Sequence, residues 1–445
     1  LTPILISLLA CHRGAPAVGE AHEIVIVGAG VSGLTAARWL ADDGHDVVVL
    51  EARDRVGGRV HGQELAGRRV DMGAAWLLGA SDANPVSAWL TERGFTSSPA
   101  VFGETFYDGV AGRWVDAADQ SAAWRDYVAF VQAMPELRAE LGVGATVREG
   151  IDVFLASGTQ APASLADFAI TQGLVETDYA APTEHLSLEY FYEEGTFPGS
   201  YDLPDVPFAT SLIDTLVSGV DVRLSQGVVA IETDDERAVV HTWSGPFTAE
   251  RVVVTVPLGV LKSGSITFSP PLSAAKQGAI DRVGFGTLDK IVMIFEERWW
   301  ADTIGAGGYY VAEDPGELAL WVDLSDWIGA PALLAFEGAD AAVAGEALGD
   351  DARIARALEV AGEMTGLAPP APIAAAVTSW YEDPFARGSY SVVGVEATPA
   401  DYDELGRAEG PRLFFAGEHT AFDHSATVNG AMVSGLRVAA EIGAL

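Results

Sequence analysis

The sequence predicts an α/β fold, and three observations carry that expectation. His22–Val27 (HEIVIV) is a continuous apolar run, the mark of a strand buried on both faces. Gly28-Ala29-Gly30-Val31-Ser32-Gly33 follows at once, then Leu34–Gly44 with helical periodicity and a closing glycine, then the apolar strand Asp46–Ala52. Strand, glycine turn, helix and strand in that order form one βαβ unit, which requires a parallel sheet. The third observation is size. The chain has 445 residues, 49% of them hydrophobic, which suffices for a large core or for two domains sharing one.

Each part of the unit has a physical task. Gly28 permits the tight turn, Gly30 lets a pyrophosphate approach the backbone, and Gly33 lets helix and strand pack closely. Val31 and Ser32 open the helix, whose N-terminus then faces the phosphates. Glu51, 18 residues beyond Gly33, ends the second strand where an acid binds ribose hydroxyls. These features predict a dinucleotide site and leave NAD and FAD both open.

Composition narrows the partners. The formal net charge is −37, which argues against nucleic acid because phosphate contacts need a basic surface. The acidity agrees with a cationic substrate, although global charge mostly governs solubility. Cys11 is the one cysteine, so a disulfide within the chain is impossible and no metal site is expected. Leu1–Cys11 (LTPILISLLAC) is an apolar run too short to cross a bilayer but suited to an export signal. Leu8-Leu9-Ala10-Cys11 resembles a bacterial lipoprotein processing box, so residues 1–21 are expected to be an export signal and linker, with a lipid anchor at Cys11 the only membrane attachment.

Lysine is scarce: Lys262, Lys276 and Lys290 are the only three. Lys290 heads the apolar run Ile291–Phe295, and a buried ammonium costs several kcal/mol unless something satisfies it. On this stretch alone it is either an edge residue snorkelling to water or a functional group.

Glu51-Ala52-Arg53-Asp54-Arg55-Val56-Gly57-Gly58-Arg59 resembles the FAD signature of the flavin amine oxidases, with further matches in family order. These are Asp71–Trp76 with Asn84-Pro85, Leu224–Ile231, Pro257–Lys262, Phe268–Leu272, Leu413–Thr420 and Ser425–Ala431. The chain therefore resembles the flavin monoamine/polyamine oxidase family, closest in pattern to polyamine oxidases. The resemblance implies a Rossmann-like FAD-binding domain of residues 22–79, 205–260 and 405–445. Interleaved with it would be an α+β substrate-binding domain of mixed sheet and helices, residues 80–204 and 261–404.

The family context also assigns residues. Ala52, Gly57, Gly58 and Arg59 would lie near the FAD phosphates, while Arg53 and Arg55 would meet either phosphate or structural acids. Gly73, Ala74, Ala75 and Trp76 would pass the flavin, with Trp380 also at the cofactor, and Val228 would contact adenine. Gly417 and Glu418 would meet ribityl or phosphate oxygens, and Thr427 and Val428 the flavin N1/O2 edge. Lys290 would hold a water at flavin N5. Tyr390 and His424 would flank the amine, His424 replacing a tyrosine. Ser389 stands where monoamine oxidases carry the cysteine bound to flavin, so FAD is expected to be non-covalent. Leu78 replaces a glutamate that some polyamine oxidases use for a distal ammonium. Glu193 and Glu194 read as a solvated acidic pair, and Tyr190, Phe191 and Tyr192 as core.

The expected activity is oxidation of a small-molecule amine by O2, giving an imine that hydrolyses, and H2O2. The alternatives are an L-amino-acid oxidase, a flavin dehydrogenase with another acceptor, or a flavin-binding partner protein without turnover.

Overall fold

The computed structural model describes residues 19–312 and 315–445. The expected signal and the lipidation site at Cys11 lie outside the described residues.

The glycine turn organises the first sheet. Strand Glu20–Val27 runs parallel to Val47–Leu50 on one side, with Val25 opposite Val48, and to Gly245–Val254 on the other, with Val25 opposite Val252. Where the three pair side by side, Ile24–Val27, Val47–Leu50 and Val252–Val254 are buried and almost wholly β-branched, as a sheet covered on both faces demands. The helix between the first two spans Val31–Asp42, so it begins three residues before the apolar periodicity does and takes Gly33 into its first turn. A Cβ on Gly33 would lie 2.1 Å from the Gly28 carbonyl oxygen, and Gly28 itself has φ +108°. Gly33 therefore serves contact between helix and strand.

The sheet has eight strands. Asp221–Arg223 pairs beyond Val47–Leu50, while Ala238–Thr242 and Val228–Thr233 fold back antiparallel from the first half of Gly245–Val254. The second half of that long strand receives Leu413–Phe415 in parallel. Thr267–Ser269 pairs with Val228–Thr233, so this sheet draws a strand from beyond residue 260, past the division read from the sequence. The final helix, Val428–Gly443, packs on Val31–Asp42. Gly435 permits that approach, since a Cβ there would come within 2.5 Å of the Ser32 carbonyl, and the Ser32 and Ser434 hydroxyls meet at 3.0 Å.

A seven-stranded sheet forms the second core. Leu288–Ile294 lies between Ala374–Val377 and Ala332–Gly338, followed by Leu320–Asp323, Gly307–Val311, Phe106–Asp108 and Arg113–Trp114. Alternation along Leu288–Ile294 decides what each side chain meets. Ile291 and Met293 enter a cluster with Trp300, Trp321 and Val360. Val292 and Ile294 enter another with Met72, Leu334 and Phe336, and Lys290 shares their face. Helices Ala117–Leu141, Val147–Ala156 and Ala163–Ile170 cover this part of the chain, and the last runs on into a π-helical turn, Thr171–Glu176.

Gly33→Ala should lower stability by about 1–3 kcal/mol despite the better helix propensity of alanine, because backbone must move to admit the methyl. Urea denaturation checks this, and an unchanged midpoint would show that helix and strand have slack.

Candidate active site

A single cavity of about 680 Å³ runs between the two sheets. One end is the βαβ unit: Gly28, Gly30, Val31 and Ser32, then Glu51, Ala52 and Arg53, then Gly57, Gly58 and Arg59. Gly30 faces open space, for a Cβ there would meet nothing within 4 Å, whereas its neighbours are tightly packed. Glu51 is 6% exposed and accepts the Ala29 N–H at 2.8 Å and the Arg53 N–H at 2.9 Å. Each carboxylate oxygen keeps a lone pair for a further donor from the cavity. Val228, with Gln226 and Trp243 beside it, completes this end.

Two arginines beside the glycine turn are held by acids, which for Arg53 is one of the two partners expected and for Arg59 a partner besides phosphate. Arg53 pairs with Asp383 at 2.7 Å and lies over the Phe385 ring. Arg59 pairs with Glu418 at 2.8 Å and donates to the Ser389 carbonyl at 2.8 Å. Arg55 donates to the Gly58 carbonyl at 2.9 Å. Glu418 is 5% exposed and also accepts from the Ser391 hydroxyl at 2.6 Å and the Ala426 N–H at 3.0 Å. Burial alone would push its carboxyl up, but Arg59, His419 and Ser391 together hold it below the ordinary carboxylate range.

The middle of the cavity is Gly73–Trp76, Trp380, Gly417, Thr427 and Val428. Gly73 is wedged so closely that a Cβ would lie 1.8 Å from the Arg59 carbonyl oxygen. Thr427 caps the final helix, its hydroxyl accepting the Gly430 N–H at 2.9 Å and donating to the His424 carbonyl at 2.7 Å. This presents a helix N-terminus to the cavity.

Lys290 lines the cavity beside Gly73 and Trp76, 6% exposed. Its ammonium donates to the Gly73 carbonyl at 2.6 Å and the Asp71 carbonyl at 3.1 Å, with Nζ 4.7 Å from the Trp76 ring centroid. Burial lowers its pKa to about 8, against the pull of Asp71. The lysine is neither at a sheet edge nor in water; it reaches across from the second sheet to the segment that follows the first. Tyr390 also lines the cavity, and its hydroxyl donates to the Asp178 carbonyl at 3.0 Å.

Gly33 has the packing task read for it: it is the helix–strand contact and lies off the cavity wall, so it does not itself meet the cofactor. One role changes. His424 is not on the wall either. Its backbone adopts φ +64° and its ring stacks on Phe197, centroids 3.9 Å apart at 10°, so the imidazole is committed to that loop. The acidic pair also divides: Glu193 is an exposed partner of Arg138, whereas Glu194 lines the cavity and accepts the Tyr179 hydroxyl at 3.2 Å. Asp178, Tyr192 and Tyr201 line the cavity as well and were missed. They come from segments without a motif, and only the fold brings them together.

Residues 31–443 match the family described as flavin containing amine oxidoreductase. The chain belongs to the flavin-containing amine oxidoreductase family. It is 30% identical to Polyamine oxidase 4 of Oryza sativa subsp. japonica, covering 94% of this chain and 88% of that one. It is 32% identical to Lysine-specific histone demethylase 1 homolog 1 of the same plant, over 99% of this chain but 54% of the relative. The chain spans about half the length of that relative and of its Arabidopsis thaliana counterpart, matched over 52% of its length. The fold is that of putrescine oxidase in a structure bound to putrescine, with TM-score 0.78 and 20% identity over 96% of this chain and 99% of that chain.

FAD is the cofactor, and this chain's own geometry fits it. The open face of Gly30 and the free lone pairs of Glu51 suit a dinucleotide. The Trp76 Nε1 is buried without an acceptor on the cavity wall, a polar atom that a bound ring system can satisfy.

Glu418→Gln should destabilise the protein at pH 7 by about 1–3 kcal/mol, since Arg59 loses its counter-charge in a buried setting. A carboxyl held below its ordinary 4.5 contributes stability above that pH and loses it as pH falls, so the difference between wild type and variant should shrink in acid. Urea curves at pH 7 and pH 4 measure both, and a pH-independent difference would show that charge is not the cause.

Proposed function

We propose that the protein is a FAD-dependent oxidase of a small amine, with FAD held non-covalently. The observation that carries this is the continuity of one cavity, from the glycine cradle and Glu51 to Lys290, Tyr390 and two carboxylates, Asp178 and Glu194. The relatives' names speak of polyamine, putrescine and lysine, and an amine is what they share.

FAD, held by the glycine turn and Glu51, would supply a two-electron oxidant for the C–H of the carbon that bears nitrogen, with O2 as the final acceptor and H2O2 as its product. The imine so formed takes up water and yields an aldehyde and ammonia, or a shorter amine. The chain binds and orients. Tyr390 and Trp76 offer aromatic surface to an amine, and Phe102, Leu288 and Phe336 keep that end apolar. Lys290 places a fixed donor on the wall, its remaining N–H available to a water or to a developing negative charge. The N-terminus of Val428–Gly443 adds positive potential where Thr427 meets the cavity.

The same walls weigh against an amino-acid oxidase. A substrate carboxylate would enter a chamber that already holds Asp178 and Glu194, while Lys290 is engaged by backbone carbonyls. Ser389 supports non-covalent binding: serine forms no thioether, and its hydroxyl already bonds the Leu288 backbone, accepting at 2.8 Å and donating at 3.0 Å.

Anaerobic mixing of the yellow protein with mono-, di- and polyamines and amino acids should bleach the flavin with amines and not with amino acids. Bleaching by amino acids alone would refute the reading. Acid denaturation should release all FAD into the supernatant, and flavin left on the polypeptide would disprove non-covalent binding. Lys290→Met should fold and retain FAD, because methionine suits the apolar strand. O2 consumption with saturating amine should fall about tenfold or more, and the wild-type activity limb near pH 8 should vanish with the ammonium. An unchanged rate and pH profile would remove Lys290 from the chemistry.

A further inference from the structure

Trp243 lines the cavity and is 59% exposed, more than any other described aromatic residue. It stands in the turn between Ala238–Thr242 and Gly245–Val254. Turn chemistry favours Gly, Asn, Asp, Pro or Ser at such a place and does not account for an indole.

The chain nevertheless fixes that indole. The Trp243 N–H donates to the Gly227 carbonyl at 3.0 Å. A Cβ on Gly227 would lie 2.3 Å from the indole, so the ring rests against main chain that only glycine leaves clear. Gln226 ties down the turn, its Oε1 accepting the Thr242 hydroxyl at 3.0 Å and the Ser244 hydroxyl as well. Phe385 stands beside the indole, ring centroids 6.0 Å apart, and is itself covered by the Arg53 guanidinium at 5.2 Å.

Backbone bonds place this ring next to the ribose acid. The Glu51 carbonyl accepts the Gln226 N–H at 2.8 Å, and the Arg53 carbonyl accepts the Ser225 N–H at 2.8 Å. Residues 225–227 therefore run alongside the end of the second strand, and Trp243 is bonded to the last of them. A dinucleotide that lays its phosphates on Gly30 and its ribose on Glu51 carries its base toward Gly227, Val228 and Trp243.

We propose that Trp243 is the stacking platform for the adenine of FAD and sets how long the cofactor is retained. The inference rests on FAD held non-covalently and is independent of which amine is oxidised. A purine presents a flat π-face that stacks well on an indole. Without a covalent tether at Ser389, retention is the sum of such contacts. Arg53 and Arg59 are already paired with acids, which gives a contact at the base end more weight.

The holoenzyme tests this. On dilution, flavin fluorescence follows the release of FAD. Trp243→Ala should release it about tenfold faster or more, the range of one base–aromatic stack. Trp243→Leu keeps apolar bulk without a π-face and should release it nearly as fast, whereas Trp243→Phe should restore most of the retention. Acrylamide quenching gives a second readout. The chain has 11 tryptophans, and subtracting the emission of Trp243→Phe from that of wild type isolates Trp243. That component should be shielded in the holoenzyme and become accessible as FAD leaves. Four results would each overturn the proposal: wild-type release from Trp243→Ala, full retention in Trp243→Leu, release from Trp243→Phe as fast as from Trp243→Ala, or a Trp243 component open to acrylamide while FAD is bound. Acid denaturation is read separately: flavin left on the polypeptide would refute non-covalent binding, and the shielding of Trp243 in the holoenzyme would still decide the platform.

Discussion

The burial of one ammonium sets the geometry on which the rest of the cavity depends. Lys290 belongs to a central strand of the second sheet, and the carbonyls that receive it belong to Asp71 and Gly73, on the segment that leaves the first. A charge in such a place must be met by acceptors or it loses its proton. Meeting it with backbone carbonyls fixes main chain rather than a mobile side chain. Gly73 is clamped from the other side by the Arg59 carbonyl, so the contact admits little drift. The two sheets are thus registered to each other at the point where Trp76 enters the cavity wall.

Charge pairing follows the same division of labour. Along the nucleotide end, two cations are given acid partners, Asp383 for Arg53 and Glu418 for Arg59, while Arg55 is held by the Gly58 carbonyl. These pairs tie distant segments together, residues 51–59 to 383–391 and 418. Asp178, on the same cavity, differs from these groups: no described residue donates to its carboxylate, and burial pushes that carboxyl up to about 7.

The sequence disclosed the nucleotide end because its physics is local. Gly28, Gly30 and Glu51 act within one βαβ unit, with Gly57–Arg59 just after it, and there the order of strand, turn, helix and strand decides which residues meet. Lys290 stood out as a rare residue at the head of an apolar strand, which left an edge lysine and a functional one both open, and the family resemblance supplied the functional reading. Gly33 was legible as a packing glycine, whereas His424 was misassigned. A motif gives the neighbourhood of a residue but not the direction of its side chain, which a left-handed turn decides at His424. Asp178 left no trace because it stands in a segment without a motif and reaches the cavity only through the fold. Export and lipidation rest on the sequence alone.

The reverse face of the Lys290 strand explains why that lysine holds its place. Asp289, fully buried, accepts the Thr378 hydroxyl at 2.9 Å and the Trp380 N–H at 3.2 Å. Thr378 in turn accepts the Lys290 N–H at 2.8 Å through its hydroxyl, and Arg353 donates to the Thr378 carbonyl at 2.7 Å and to Glu337 at 2.7 Å. Apolar residues would fill this volume at less electrostatic cost. They would not couple the Lys290 main chain to the Trp380 main chain through shared acceptors, and those two residues stand on the same cavity wall. A network of directional bonds behind the strand converts a packed layer into a fixed one. The ammonium on the front face can then be aimed at two carbonyls of another segment without the strand yielding to it.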